Sequence, residues 1–137
     1  MNAFTFDELY VGLSVCFDVE ITQEKLDHFI RISGDNSVLH TEESFAIAKG
    51  FKGVPVHGML TSAFYSQLVG MHLPGKNGYS QEYKLSFTSP VYVNDSLTVR
   101  GEIEYINEVL RQVWIVSSIT NQDGILVSRA KIKAGIF

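Results

Sequence analysis

Hydrophobic and polar residues alternate with a period of two over most of the second half of the chain. Four alternating stretches, rich in β-branched and aromatic residues, predict long antiparallel strands at residues 82–93, 95–108, 111–121 and 125–136. Turn-forming residues separate them at "VND" (93–95) and "NQDG" (121–124). The pattern therefore predicts a meander, in which each strand pairs with the next along the chain.

The first half of the chain combines one strand pattern with two helical patterns. Residues 14–22 alternate, which predicts a strand. Helical spacing of apolar residues follows, with Thr22 as a predicted N-cap and Gly34 as the C-terminal end. A short second helix is predicted between Thr41, as its cap, and Gly50.

Residues 58–73, "GMLTSAFYSQLVGMHL", are apolar nearly all round, which is typical of a helix buried on most sides. Pro74 and Gly75 end this pattern. One buried helix together with long antiparallel strands predicts an α+β fold, a curved sheet wrapped around the helix. A single sheet leaves an open edge, and long edges are usually paired or covered, so we expect a homodimer joined edge to edge.

Length, charge and cysteine content limit the possible functions. The chain has 137 residues, which we interpret as one domain spanning 1–137. A net charge of −4 argues against nucleic acid as a partner. No apolar run approaches the ~20 residues of a membrane span, and the N-terminus does not resemble a signal peptide. The only cysteine, Cys16, rules out an internal disulfide, and we expect a cytoplasmic protein.

An acid and a histidine lie five residues apart between the first two predicted helices. Asp35 follows the end of one helix, and His40 precedes the start of the next. A short loop held at both ends can direct two side chains toward one point, as an acid–base pair requires. A carboxylate and an imidazole can then bind one water molecule, each affecting the protonation of the other.

The dipeptide His57-Gly58 begins the most hydrophobic predicted helix. The N–H of Gly58 is unpaired within such a helix and lies at the positive end of the helix dipole. Because glycine has no side chain, a ligand oxygen can approach that N–H closely. Tight packing explains the glycine equally well, and we interpret His57 as a structural residue rather than a proton carrier.

The runs "SGDNSVLH", "VPVHGML" and "LPGKNGYSQEYKLSFTSPVYVND" together resemble the MaoC-like, or (R)-specific enoyl-CoA hydratase, family from about residue 10 to the C-terminus. The resemblance implies the hot-dog fold, an antiparallel sheet around one helix, paired into a dimer. It also implies that Asp35 and His40 are the catalytic pair and that the Gly58 amide binds the thioester carbonyl. Ser66 matches the serine that hydrogen-bonds the catalytic Asp, with Ser62 one turn earlier as a competitor.

The chain departs from the family motif at two positions. Ser37 and Val38 replace the usual Asn and Pro, which removes a φ constraint from the loop and shortens a polar side chain. We expect these changes to affect substrate choice and rate rather than the fold. Asp35, His40 and His57 match no known zinc spacing, and we expect no metal and no other cofactor.

The activity implied is hydration of a trans-2-enoyl thioester to the (R)-3-hydroxyacyl thioester, or the reverse dehydration. The substrate partner would be an acyl-CoA or an acyl-carrier-protein thioester. Two alternatives remain: a hot-dog thioesterase, which would release free thiol, and a non-catalytic acyl-thioester-binding module. Asp35, His40, Gly58 and Ser66 together favour an enzyme, because a binding module needs only the pocket.

Overall fold

The computed structural model describes all 137 residues and contains one five-stranded antiparallel sheet. Its strands are β1 (Ser14–Glu20), β2 (Gly78–Phe87), β3 (Ser96–Asn107), β4 (Gln112–Asn121) and β5 (Leu126–Ile136). Their spatial order is β1-β3-β4-β5-β2. The predicted α+β class, with one sheet and a central helix, is therefore confirmed, and β1 and β2 form the two edges.

The predicted meander is right for three strands and wrong for β2. β3, β4 and β5 pair in chain order, but β2 pairs with β5 at the edge instead of with β3. The predicted strand 82–93 also ends early, at Phe87. The reason is a distant contact: the N–H of Val56 donates to the carbonyl of Val91 (2.8 Å), which ties the connection after β2 to the segment before the central helix. Alternation identifies a strand but does not encode its neighbour.

The first helix, α1 (Gln23–Ser33), has the predicted ends. Thr22 accepts a hydrogen bond from the N–H of Lys25 (3.2 Å), and Gly34 adopts a left-handed conformation (φ 71°) at the C-terminus.

The second helix, α2 (Glu43–Ala48), is shorter than predicted, and Thr41 is not its cap. The hydroxyl of Thr41 donates to the carbonyl of Ser37 (3.1 Å) and so holds the preceding loop instead. Gly50, with φ 91°, follows the helix end as predicted.

The central helix, α3 (Gly58–Gln67), continues into a π-helical turn at Leu68–His72. One continuous α-helix to residue 73 was predicted, and the wider last turn was not. The core lies between this helix and the inner face of the sheet; its fully buried large side chains include Tyr65, Leu68, Leu97, Ile103, Ile115, Ile119 and Ile132. Burial of each such side chain contributes about 1.5–3 kcal/mol, so the sheet holds α3 in a fixed position. No helix of the chain is both long enough and apolar enough to cross a membrane.

Candidate active site

The loop after α1 begins with Asp35, which its neighbours hold in place. Ser33 Oγ donates to the carbonyl of Phe29 (2.7 Å) and accepts from the N–H of Asp35 (3.1 Å). The carboxylate Oδ1 of Asp35 in turn accepts from the N–H of Ser37 (3.2 Å). Hydrogen bonding to Ser37 is the main cause that lowers the pKa of Asp35, with smaller contributions from His57 and His40. The carboxyl group, half-exposed in the single chain, is therefore ionised near neutral pH.

His40 ends a short 3₁₀ turn, Val38–His40, and lies part-buried. Its Nδ1 is 2.7 Å from the carbonyl oxygen of Pro55. A carbonyl can only accept a hydrogen bond, so Nδ1 carries the proton and donates. The lone pair is consequently on Nε2, which is the arrangement a general base requires.

His57, the residue before α3, is buried, with a side chain only 3% exposed. Its Nε2 donates to the backbone carbonyl of Asp35 (2.8 Å) and is 3.6 Å from the carboxylate Oδ2 of the same residue. Its ring packs on that of His40, with centroids 3.9 Å apart. Burial is the largest cause that lowers the pKa of His57, so the ring is neutral near pH 7.

Asp35, His40 and His57 converge on one point. One ligand atom from each lies within 4.8 Å of the other two. Nε2 of His57 uses its proton for the carbonyl of Asp35, and Nδ1 of the same ring is buried without a partner, so the Asp35 carboxylate and the His40 ring are the members left to bind a water molecule. A water molecule bonded to two groups at about 2.8 Å spans about 4.5 Å between them, so this pair can hold one water. The absence of a metal stays a prediction.

Gly58 is the first residue of α3, and no group in the chain accepts a hydrogen bond from its N–H. The N–H of Met59 is free as well. These two donors lie at the positive end of the helix, where an oxygen that gains negative charge is stabilised.

A cavity of about 420 Å³ connects this helix end with His40. Apolar side chains supply half of the lining, including Phe51, Met59, Phe87 and Val127. His40 and Gly58 both line the cavity, whereas Asp35 lies outside the lining in the single chain. The cavity thus combines an apolar wall with one imidazole and one free N–H, which suits an acyl group carrying a polar carbonyl.

The two candidate serines do not contact Asp35 within one chain. Ser62 is buried and donates to the carbonyl of Gly58 in its own helix (3.0 Å). Ser66 lies on the exposed face of α3 and makes no hydrogen bond to another side chain. The role given to Ser66 by the family resemblance therefore stays a prediction, and Ser62 has the structural role of a side chain bonded to its own helix.

Phe87, at the end of β2, was not predicted as a site residue. Its ring packs on Gly58 so closely that a Cβ at residue 58 would meet three ring carbons at 3.0–3.1 Å. Alternation shows only that Phe87 ends a strand; its contact with a residue 29 positions earlier depends on the tertiary fold.

The family profile described as "MaoC like domain" matches residues 12–122. The chain belongs to the MaoC-like family. An "(R)-specific enoyl-CoA hydratase" of Aeromonas caviae is 35% identical over 98 residues, covering 72% of this chain and 73% of that protein. A "3-hydroxybutyryl-CoA dehydratase" of Methylorubrum extorquens is 30% identical over 134 residues, covering 97% and 85%.

The fold of this MaoC-like chain has close structural counterparts. The solved structure of the (R)-hydratase from A. caviae involved in PHA biosynthesis superposes with a TM-score of 0.88 at 29% identity, covering 94% of this chain and 98% of that one. The expected hot-dog fold, a curved sheet around a central helix, is confirmed by this likeness and by the strand order described above.

Proposed function

We propose that this MaoC-like protein catalyses the (R)-specific hydration of trans-2-enoyl thioesters or the reverse dehydration of (R)-3-hydroxyacyl thioesters. The observation that carries the proposal is the meeting of the Asp35–His40 pair with the free N–H of Gly58 beside one apolar cavity. The similar proteins of A. caviae and M. extorquens are named for the two directions of this reaction type.

The proposed reaction begins with the thioester carbonyl oxygen on the N–H of Gly58. Attack of water at C3 of the enoyl group moves electrons through the double bond toward that oxygen, and the enolate character strengthens the hydrogen bond. The N–H therefore stabilises the transition state more than the bound substrate.

Asp35 and His40 hold and activate the attacking water as one unit. As the oxygen bonds to C3, the pair accepts one proton from the water and delivers one proton to C2 on the same face, so the pair ends as it began. The ionised carboxylate of Asp35 and the lone pair on Nε2 of His40 both fit the accepting role.

The first experiment measures hydration of crotonyl-CoA and longer enoyl-CoA substrates by loss of enoyl-thioester absorbance. Asp35→Asn and His40→Ala should each lower kcat by roughly 10²-fold or more, because each removes one holder of the water. The double variant should be little worse than either single variant, since the residues act as a unit. His28→Ala, at an exposed histidine of α1, is the control and should keep full activity.

Release of free thiol, measured in the same samples, distinguishes the alternatives. Thiol release without formation of a 3-hydroxyacyl product would replace the proposal with a thioesterase. Binding of substrate with neither reaction would indicate a binding module. The carrier in this proposal is coenzyme A or an acyl carrier protein, which share the phosphopantetheine arm.

We also propose that the protein acts as a cytoplasmic homodimer. β2 is an edge strand of ten residues with one side unpaired, and Phe87 on it lies against Gly58 at the start of α3. Met59 and Phe87 are 58% and 51% exposed in the single chain, and both line the cavity. A second copy packed on this edge would cover apolar surface at the mouth of the site. The single, unpaired Cys16 fits a reducing compartment.

A further inference from the structure

His57 contacts every part of the proposed site without lining the substrate cavity. Its Nε2–H bonds the backbone of Asp35, its ring packs on His40, and its own backbone leads directly into Gly58. The carbonyl of His57 also accepts the N–H of Leu60 (3.0 Å), which starts the first turn of α3. One buried residue therefore connects the catalytic loop, the second catalytic side chain and the helix end.

The hydrogen bond from His57 ties the backbone of Asp35 to the buried part of the molecule. The loop around Asp35 is exposed. The other hydrogen bonds of Asp35 are made with Ser33 and Ser37, which are exposed residues of the same segment. His57 supplies the long-range bond, across 22 residues, from the buried start of α3. A rigid buried donor is more effective at fixing a loop than exposed neighbours that move with it.

The ring of His57 is suited to stay neutral while the catalytic pair exchanges protons. It contacts the rings of Phe29 and His40, with centroids 5.0 Å and 3.9 Å away, and its Nδ1 is buried with no hydrogen-bond partner. A charge on this ring would lie in an apolar contact and repel a protonated His40. The titratable groups that face it are Asp35 and His40 themselves.

We infer that His57 is a positioning residue: its Nε2–H fixes the Asp35 backbone and its neutral ring supports His40, so that both groups reach the same water. The inference rests on the proposed hydration. His57 touches no reacting atom and acts through Asp35 and His40.

The test compares His57→Gln with His57→Met. The side chains of Gln and Met have similar length, but only Gln has an N–H group. Its amide nitrogen is as many bonds from Cβ as Nε2 of His, so Gln can keep the hydrogen bond to the Asp35 carbonyl and Met cannot. With crotonyl-CoA, His57→Gln should retain kcat within about fivefold, whereas His57→Met should lose at least about tenfold, since small misplacements of catalytic groups lower rates strongly. KM should change by less than about threefold in both, because His57 does not line the cavity.

A double-mutant cycle tests whether His57 acts through Asp35. In an Asp35→Asn background, His57→Met should lower the residual kcat much less than it does in the wild-type background. Ser117→Ala, which deletes the side-chain hydrogen bond to the carbonyl of Arg100 at a residue that does not line the cavity, is the stability control and should lower the melting temperature without lowering kcat. If His57→Met does not fold, His57→Asn, whose donor is one bond too short, should show the same loss.

Three results would overturn the inference while the hydratase proposal stands. The first is equal kcat in the Gln and Met variants, and the second is a loss expressed mainly in KM. The third is a loss in kcat from His57→Met that is as large in the Asp35→Asn background as in the wild-type background. Each applies when the wild-type enzyme hydrates crotonyl-CoA. Wild-type protein that hydrates no enoyl thioester would instead contradict the proposed function itself, so the two failures are distinguishable.

Discussion

Backbone carbonyls set the tautomers of both histidines at the site. The carbonyl of Pro55 fixes the proton of His40 on Nδ1, and the carbonyl of Asp35 fixes that of His57 on Nε2. The two rings are therefore not equivalent. His40 has its lone pair on Nε2, whereas His57 uses its Nε2 proton to hold the Asp35 backbone and has its lone pair on a buried Nδ1.

Gly58→Ala tests the proposed carbonyl site at the residue scale. The backbone there is helical, so alanine is acceptable to the helix, but its Cβ would meet the Phe87 ring at 3.0 Å. The half-exposed ring can move by a few tenths of an ångström, and we expect the free energy of unfolding to change by less than about 1 kcal/mol. kcat should fall by about tenfold or more, since a methyl group beside the N–H hinders the carbonyl oxygen.

Two controls separate this effect from general disturbance. Gly70→Ala, in the π-helical turn after α3, places its Cβ in open space and should leave kcat unchanged. Gly58→Ala combined with Phe87→Leu relieves the ring contact and is compared with Phe87→Leu alone. Recovery of activity in that combination would show that Gly58 serves packing against Phe87, and the carbonyl site would have to lie elsewhere.

Candidate site residues could be predicted from the sequence where the signal is a local motif, and could not where the role depends on contacts with distant residues. Asp35, His40 and Gly58 were singled out from spacing and from the family resemblance. The structure brings Asp35 and His40 together and places His40 and Gly58 on one cavity. The donor role of His57 requires the Asp35 carbonyl, and the position of Phe87 requires α3. Neither contact follows from a local pattern.

At the scale of elements, the C-terminal end of α1 controls where the proposed catalytic loop begins. Gly34 turns the chain with φ 71°, and its N–H closes the helix on the carbonyl of Ile30 (2.9 Å). Asp35 is the next residue, so the direction of the loop depends on this left-handed conformation. Caps of this kind are readable from sequence, and the ends of α1 were predicted correctly, whereas the partner of β2 was not because strand pairing is a long-range choice.

Gly34→Ala should lower both stability and activity. An L-residue in the left-handed region costs about 1–2 kcal/mol, so the free energy of unfolding in urea should fall by about 1 kcal/mol. The loop should also shift, and kcat should fall by about fivefold or more because Asp35 adjoins the strained residue. Asn, which tolerates this conformation, should be milder at position 34.

The matched control is at the other end of the same helix. Thr22→Ala removes the N-cap bond to Lys25 and should cost about 1 kcal/mol as well, yet leave kcat unchanged because that end is remote from Asp35. Equal kcat values for Gly34→Ala and Thr22→Ala would mean that the helix end does not position the catalytic loop.

At the scale of the whole molecule, the exposed surface around the cavity is the feature that one chain leaves incomplete. β2 has a free edge, the Asp35 side chain is 50% exposed, and apolar side chains of α3 and β2 meet solvent at the cavity mouth. A catalytic carboxylate and an oxyanion site work best where water is excluded. The proposed second copy would supply that exclusion and pair the sheet edge at once.

Met59→Glu tests the proposed dimer. Wild-type protein should sediment at micromolar concentration with twice the chain mass of 15.3 kDa. At an exposed position of a monomer, the Met59→Glu change would leave the fold intact. In the proposed interface it would bury an unpaired charge, so the variant should sediment as one chain with its sheet content unchanged. Val109→Glu, at a side chain 91% exposed in the turn between β3 and β4, adds the same charge elsewhere and should leave the dimer intact. A wild-type monomer would contradict the assembly, and a Met59→Glu dimer would place the interface away from α3.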